Sequence, residues 1–153
     1  MSVRYFEEFA VGQKFGSEPR AVEAAEIKAF AVQFDPQPFH LDEEAARDSL
    51  FGGLAASGWH TAAMTMRLCL GSDMRPAGGI IGGGGELTWA KPVRPGDVLR
   101  VEIEVVETRA SRSRPGQGLV KVRIATLNQD GDTVQSFAPT LLVDRRLNQR
   151  QTA

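Results

Sequence analysis

Hydrophobic and polar positions fall into two regimes along the chain, a helical one before Arg75 and a strand-like one after it. In the first, an opening strand is expected over residues 13–23. Ile27, Phe30, Ala31 and Phe34 then recur at i, i+3, i+4 and i+7, which predicts a short helix over Ala24–Phe34 with one apolar face. Pro36 and Pro38 bar further helix and predict an extended turn. Asp42, followed by Glu43 and Glu44, has the character of an N-cap with acidic residues in the first turn. Ser57 is the next N-cap, and Gly58–Leu70 is expected to be the longest apolar helix, closed by Gly71. Ala62, Ala63, Met66 and Leu70 make its apolar stripe, with Trp59 one turn earlier, and this stripe is expected to face the core.

Beyond Arg75 the period becomes two. A strand is expected over residues 79–90. Leu99, Val101, Ile103 and Val105 alternate with Arg100, Glu102 and Glu104, and Val120, Val122 and Ile124 alternate with Lys121 and Arg123. Asn128-Gln129-Asp130-Gly131-Asp132 reads as a hairpin turn into a last strand over Thr133–Asp144. Consecutive strands on short turns imply an antiparallel sheet, and one long helix packed on it implies an α+β architecture.

Composition narrows the function classes. The 153 residues are the size of one domain, taken as residues 1–153 with a short flexible tail at about 146–153. A formal net charge of −1 lacks the basic excess on which nucleic-acid or membrane-surface binding depends, so neither partner is expected. Cys69 is the single cysteine and has no internal partner, which fits a reducing compartment; between Leu68 and Leu70 it reads as packing. Met1–Glu8 has no apolar signal region, no apolar run approaches the roughly 18 residues of a membrane span, and Gln151-Thr152-Ala153 carries no address. A soluble, cytoplasmic protein is expected. No Cys/His cluster has metal-ligand spacing, so no metal is expected.

The segment with most chemistry is Phe34-Asp-Pro-Gln-Pro-Phe-His40. A carboxylate and an imidazole stand on either side of a turn stiffened by two prolines. Such a pair can hold one water for acid/base work, and histidine titrates nearest working pH. Equally, Asp35 can cap the turn while His40 makes a structural hydrogen bond; local chemistry leaves both open.

This segment resembles the signature of the MaoC-like, or (R)-specific enoyl-CoA hydratase, branch of the hot-dog superfamily, on Asp35, Pro38, His40, Ala45 and Ala46. The resemblance continues through Ala56-Ser-Gly-Trp-His-Thr-Ala-Ala63, similar to the start of the family's central helix. It then covers Gly85-Glu-Leu-Thr-Trp-Ala-Lys-Pro-Val-Arg-Pro-Gly-Asp97, similar to its strand-to-turn motif. It implies a single hot-dog domain, an antiparallel sheet wrapped around a long central helix. It also implies that Asp35 and His40 hold the water that adds to a trans-2-enoyl thioester, giving a 3-hydroxyacyl product, while the N–H of Gly58 polarises the thioester carbonyl. The chain departs from the pattern at Gln37, where the family has Asn, so that the turn's amide hydrogen bond is remade differently or lost. It departs again at Ala63, where some members have a serine near the water.

The same resemblance implies an acyl-CoA or acyl-carrier thioester as partner, CoA being part of the substrate and no separate cofactor needed, and a homodimer or higher oligomer paired edge to edge with ligand sites at the interface. Pro38, Phe39, Trp59, Gly84, Lys91 and Arg94 are the expected substrate-binding set. Lys91 and Arg94, with Arg112 and Arg114, are candidates for CoA phosphates. Gly82–Gly85 lacks the Lys-Ser/Thr of a P-loop; it is expected to be a strand that another backbone, a helix or a thin pantetheine arm approaches closely. His60 reads as a packed or partner-facing histidine. Two other functions compete: a hot-dog thioesterase, against which stands the lack of Asp or Glu in Gly58–Leu70, and a non-catalytic acyl-thioester-binding module.

Overall fold

The computed structural model describes residues 2–146; of the expected tail at 146–153, all but Arg146 lies outside them. Two short strands open the chain, β1 (Lys14–Gly16) and β2 (Arg20–Ala21). Helices follow at α1 (Ala24–Phe34), α2 (Pro38–Leu41), α3 (Glu43–Arg47) and α4 (Gly58–Leu70). Four longer strands complete it: β3 (Gly82–Trp89), β4 (Val98–Ala110), β5 (Gln117–Leu127) and β6 (Thr133–Asp144). The sheet is antiparallel with order β1-β4-β5-β6-β3, and β2 also pairs with β4. This is the hot-dog arrangement. Alternation on the central strands turns Leu99, Val101, Ile103, Val105, Val120, Val122 and Ile124 inward, and Met64, Leu68 and Cys69 of α4 join the same core. Each such side chain contributes roughly 1.5–3 kcal/mol of burial.

Four details differ from the sequence expectations. The single opening strand is two, because Pro19 has no N–H for the ladder and Ser17 diverts its hydroxyl to accept the Val101 N–H at 3.0 Å. Pro38 does not extend a turn but starts α2. At the first helical position its fixed φ suits the helix and its missing N–H would have had no partner there. The third is the orientation of α4. Its buried face is His60, Thr61, Met64, Thr65, Leu68 and Cys69, whereas Met66 and Leu70 are exposed and Ala63 with them. The stripe Ala62–Leu70 therefore lies on the outward side. On α1, likewise, Ile27 and Ala31 are buried but Phe34 is exposed.

Expected caps are present. Ser57 Oγ accepts the Trp59 N–H at 3.3 Å, and Asp42 Oδ1 accepts the Glu44 N–H at 3.2 Å. At Gly85 a side chain would place its Cβ 2.7 Å from Ala138 O and Pro139 Cα. The glycine is there because the β6 backbone passes that close, next to a register shift in the β3–β6 ladder.

Candidate active site

Asp35 caps the C-terminal end of α1, and α2 carries His40 back against it, so the one-turn helix begun by Pro38 is what aims the imidazole. His40 Nε2 lies 3.3 Å from Asp35 Oδ2, with His40 buried and Asp35 opening to one side. Nδ1 lies 2.6 Å from the carbonyl oxygen of Ala55. A carbonyl only accepts, so Nδ1 carries a hydrogen, and Nε2 is the ring nitrogen that faces Asp35. Phe39 meets the His40 ring edge-on at 4.6 Å and Phe51 stands 5.9 Å from it, which fixes the ring's plane.

Burial pushes the Asp35 carboxyl up, but hydrogen bonds from Gln37 and Ser57 and the charge of His40 outweigh it and hold the group below its ordinary 3.8. Gln37 Nε2 donates to Asp35 Oδ1 at 2.5 Å. The longer amide at position 37 thus makes its own hydrogen bond, to the carboxylate itself.

The pair opens into a cleft of about 280 Å³ whose other walls include Phe51, Gly58, Trp59, Thr61, Trp89 and Lys91. Gly58 is the first residue of α4, and the first N–H groups of a helix have no partner within it. The Trp89 indole covers this glycine so closely that a Cβ there would lie 2.6 Å from Cε2. Cleft, dyad and helix N-terminus therefore meet at one point: an imidazole nitrogen and a carboxylate oxygen 3.3 Å apart, the first turn of α4, and apolar walls.

The expected substrate-binding residues divide. Trp59 and Lys91 line the cleft. Lys91 is exposed and ion-paired with Asp132 at 2.7 Å, and that pairing raises its pKa. Pro38, Phe39, Gly84 and Arg94 are outside the lining. Phe39 packs behind His40. Gly84 sits on the outermost strand with nothing of its own chain within 4 Å of a Cβ position. Arg94 holds the 51–54 loop, donating to Gly53 O at 2.9 Å, to Leu54 O at 3.5 Å and to Phe51 O. Arg112 and Arg114 occupy the β4–β5 turn, at the other end of a 13-residue strand from Val98. Ala63 is exposed on α4, outside the cleft; Thr61 supplies the hydroxyl-bearing wall.

His60 packs flat on Phe30, with ring centres 4.7 Å apart, and its Nδ1 is buried without a partner among the described residues. Cys69 is a buried thiol, pushed up to about 12 by burial. Phe51, the Ala55 carbonyl and the Ser57–Asp35 contact had no signal in the sequence, since a loop position says nothing about what it faces after folding. Trp89 lay inside the Gly85–Asp97 motif, and its aromatic character there was the available clue.

A sheet wrapped around one helix, with an Asp–His pair at that helix's N-terminus, places the chain among hot-dog proteins. More narrowly, it belongs to the MaoC-like domain family, whose model matches residues 7–127. A MaoC-like dehydratase from Rhodospirillum rubrum superposes with a TM-score of 0.91 at 56% identity, over 95% of this chain and 99% of that one. An unliganded R-hydratase from Pseudomonas aeruginosa superposes at 0.74 with 26% identity, over 93% and 86%. The 3-hydroxybutyryl-CoA dehydratase of Methylorubrum extorquens is 31% identical over 115 residues, 74% of this chain and 71% of that protein. Among the described residues no helix is long and apolar enough to cross a membrane.

Proposed function

We propose that the protein is a hydratase/dehydratase of acyl thioesters that adds water to a trans-2-enoyl-CoA to give the (R)-3-hydroxyacyl-CoA, with Asp35 and His40 holding the water. The observation that carries this reading is the pair Asp35 Oδ2 and His40 Nε2, 3.3 Å apart beside the Gly58 end of α4. A water held by both groups keeps a lone pair free for the substrate's β-carbon. As the C–O bond forms, the pair takes one proton from the water, and charge moves through the conjugated system to the thioester oxygen. The N–H of Gly58 meets that charge, aided by the helix dipole. A proton returned to the α-carbon completes the addition. Elimination is the reverse.

The relatives' chemistry supports the same class: an R-hydratase by fold and a 3-hydroxybutyryl-CoA dehydratase by sequence. CoA is part of the substrate, and the step needs no other cofactor. A cytoplasmic setting is consistent with the single buried thiol. The protein acts as a homodimer paired through β3, the exposed outer strand of the sheet.

Crotonyl-CoA is the probe, followed by loss of the enoyl-thioester absorbance. Asp35→Asn and His40→Ala should each lower kcat/KM by about 10²–10⁴-fold, the range of a general acid/base group. Wild-type rates in both variants would sink the assignment, and release of free thiol instead of hydration would move it to a thioesterase.

A further inference from the structure

A chain of buried polar groups runs from the sheet to the cleft, and the hydration step described above makes no use of it. The Trp89 Nε1–H donates to Gln135 Oε1 at 3.0 Å. Gln135 Nε2 donates to Thr65 Oγ1 at 3.1 Å, and Thr65 Oγ1 lies 2.6 Å from Thr126 Oγ1. Gln135, Thr65 and Thr126 are 1%, 2% and 0% exposed, so they sit in the core between α4 and strands β5 and β6. An indole nitrogen only donates, which fixes the amide: its oxygen faces Trp89 and its NH₂ faces Thr65. Both ends of a buried glutamine are thereby engaged, one to the helix and one to the cleft wall. An apolar residue at this inward position would pack without these obligations, and a buried amide costs stability unless every bond is made.

The wall that Gln135 holds is the one lying on Gly58. The indole is packed there so tightly that no Cβ fits, and its other neighbour is Trp59, edge-on at 5.1 Å. Thr65, the anchor, is on the same helix as Gly58, seven residues further on. The network thus ties the helix whose N-terminus receives the developing charge to the ring that limits how a carbonyl can approach it. We propose that Gln135 is a positioning residue: through the Trp89 indole N–H it sets the approach of the thioester carbonyl to the Gly58 N–H. This rests on the hydratase reading above. Alignment of a donor matters most when charge has developed, so the effect belongs in kcat more than in KM.

The test is a double-mutant cycle of Gln135→Leu and Trp89→Phe, assayed with crotonyl-CoA, together with NMR of the indole N–H. The chain has two tryptophans, so Trp59→Phe leaves the Trp89 signal alone. In that background the Trp89 N–H should exchange slowly with solvent, and Gln135→Leu should speed its exchange at least about tenfold. Each single variant should lower kcat about tenfold or more with KM within about threefold, and the double variant should be no worse than the poorer single one. Folded Gln135→Leu protein with kcat within twofold of wild type, or an additive cycle, overturns the proposal. Should Gln135→Leu not fold, Trp89→Phe decides alone, and a kcat within twofold of wild type is again fatal. No turnover by the wild type would remove the hydratase reading and this role with it, while the indole exchange would still report the anchor by itself.

Discussion

A histidine's meaning in this chain is set by what faces its second ring nitrogen. His40 and His60 are both buried, yet His40 has a carbonyl for Nδ1 and a carboxylate for Nε2, while His60 has an aromatic face and an orphaned Nδ1. Burial holds His60 below its ordinary 6.5, with Glu26 opposing and Arg20 reinforcing. The unfolded chain binds that proton near 6.5 and the folded chain only at lower pH. Stability from this residue is therefore complete above about 6.5 and declines as pH falls toward the folded value. Asp35 is held below 3.8, so its contribution is present above that range and is lost only at still lower pH. In His60→Phe, which keeps the stacking on Phe30, melting temperature should fall less between about pH 7 and pH 5 than in wild type. Parallel curves would show that His60 does not carry the slope.

Among the elements, the loop before α4 is held from outside itself. Arg94 reaches back to Phe51, Gly53 and Leu54, and its own backbone is fixed by Asp97 Oδ2, which accepts the Arg94 N–H at 2.8 Å. The Lys91–Asp97 motif is thus a turn that ties the loop carrying Phe51 to the start of β4. Arg94→Ala should lower stability by roughly 1–3 kcal/mol, several degrees in Tm. It should raise the KM for crotonyl-CoA as Phe51 loosens. Arg94→Lys should not restore either, since an ammonium cannot reproduce a planar fork of donors. Full recovery with lysine would show that charge, not geometry, is what the loop needs.

At the scale of the whole molecule, one face of the chain lacks a cover. Strand β3 is the sheet's outer strand, and its residues are exposed except for a half-buried Leu87. At its ends Ile81 and Trp89, and on the outward side of α4 Trp59, Met66 and Leu70, are each between 39% and 61% exposed. An open edge ending in large exposed apolar side chains invites pairing. A second copy placing its own β3 alongside would cover both and would set its Gly82–Gly85 run near the cleft. Light scattering should give twice the 16.6 kDa chain mass for wild type. Met66→Lys with Leu70→Lys should shift the protein toward monomer and lower crotonyl-CoA turnover, because Trp59 and Trp89 belong to both the cleft and this surface. A wild-type monomer with full activity would refute the dimer.

What the sequence determined by itself was local in origin. Alternation set the faces of β4 and β5, the Ser57 and Asp42 caps set where helices start, and the Asp35–His40 spacing across two prolines marked the chemical segment. These depend on backbone geometry and neighbours a few residues away. The tertiary structure decided which side of α4 is inside. Both of its faces are apolar enough to bury, and the sheet accepted Thr65 because Gln135 and Thr126 were there to bond it, leaving Met66 and Leu70 outside. It also decided that Arg94 holds a loop, that Gln37 takes a carboxylate oxygen, and that His40 Nε2 faces Asp35. Each of these depends on a partner brought close by folding, such as the Ala55 carbonyl, and one-dimensional spacing carries no record of such a partner.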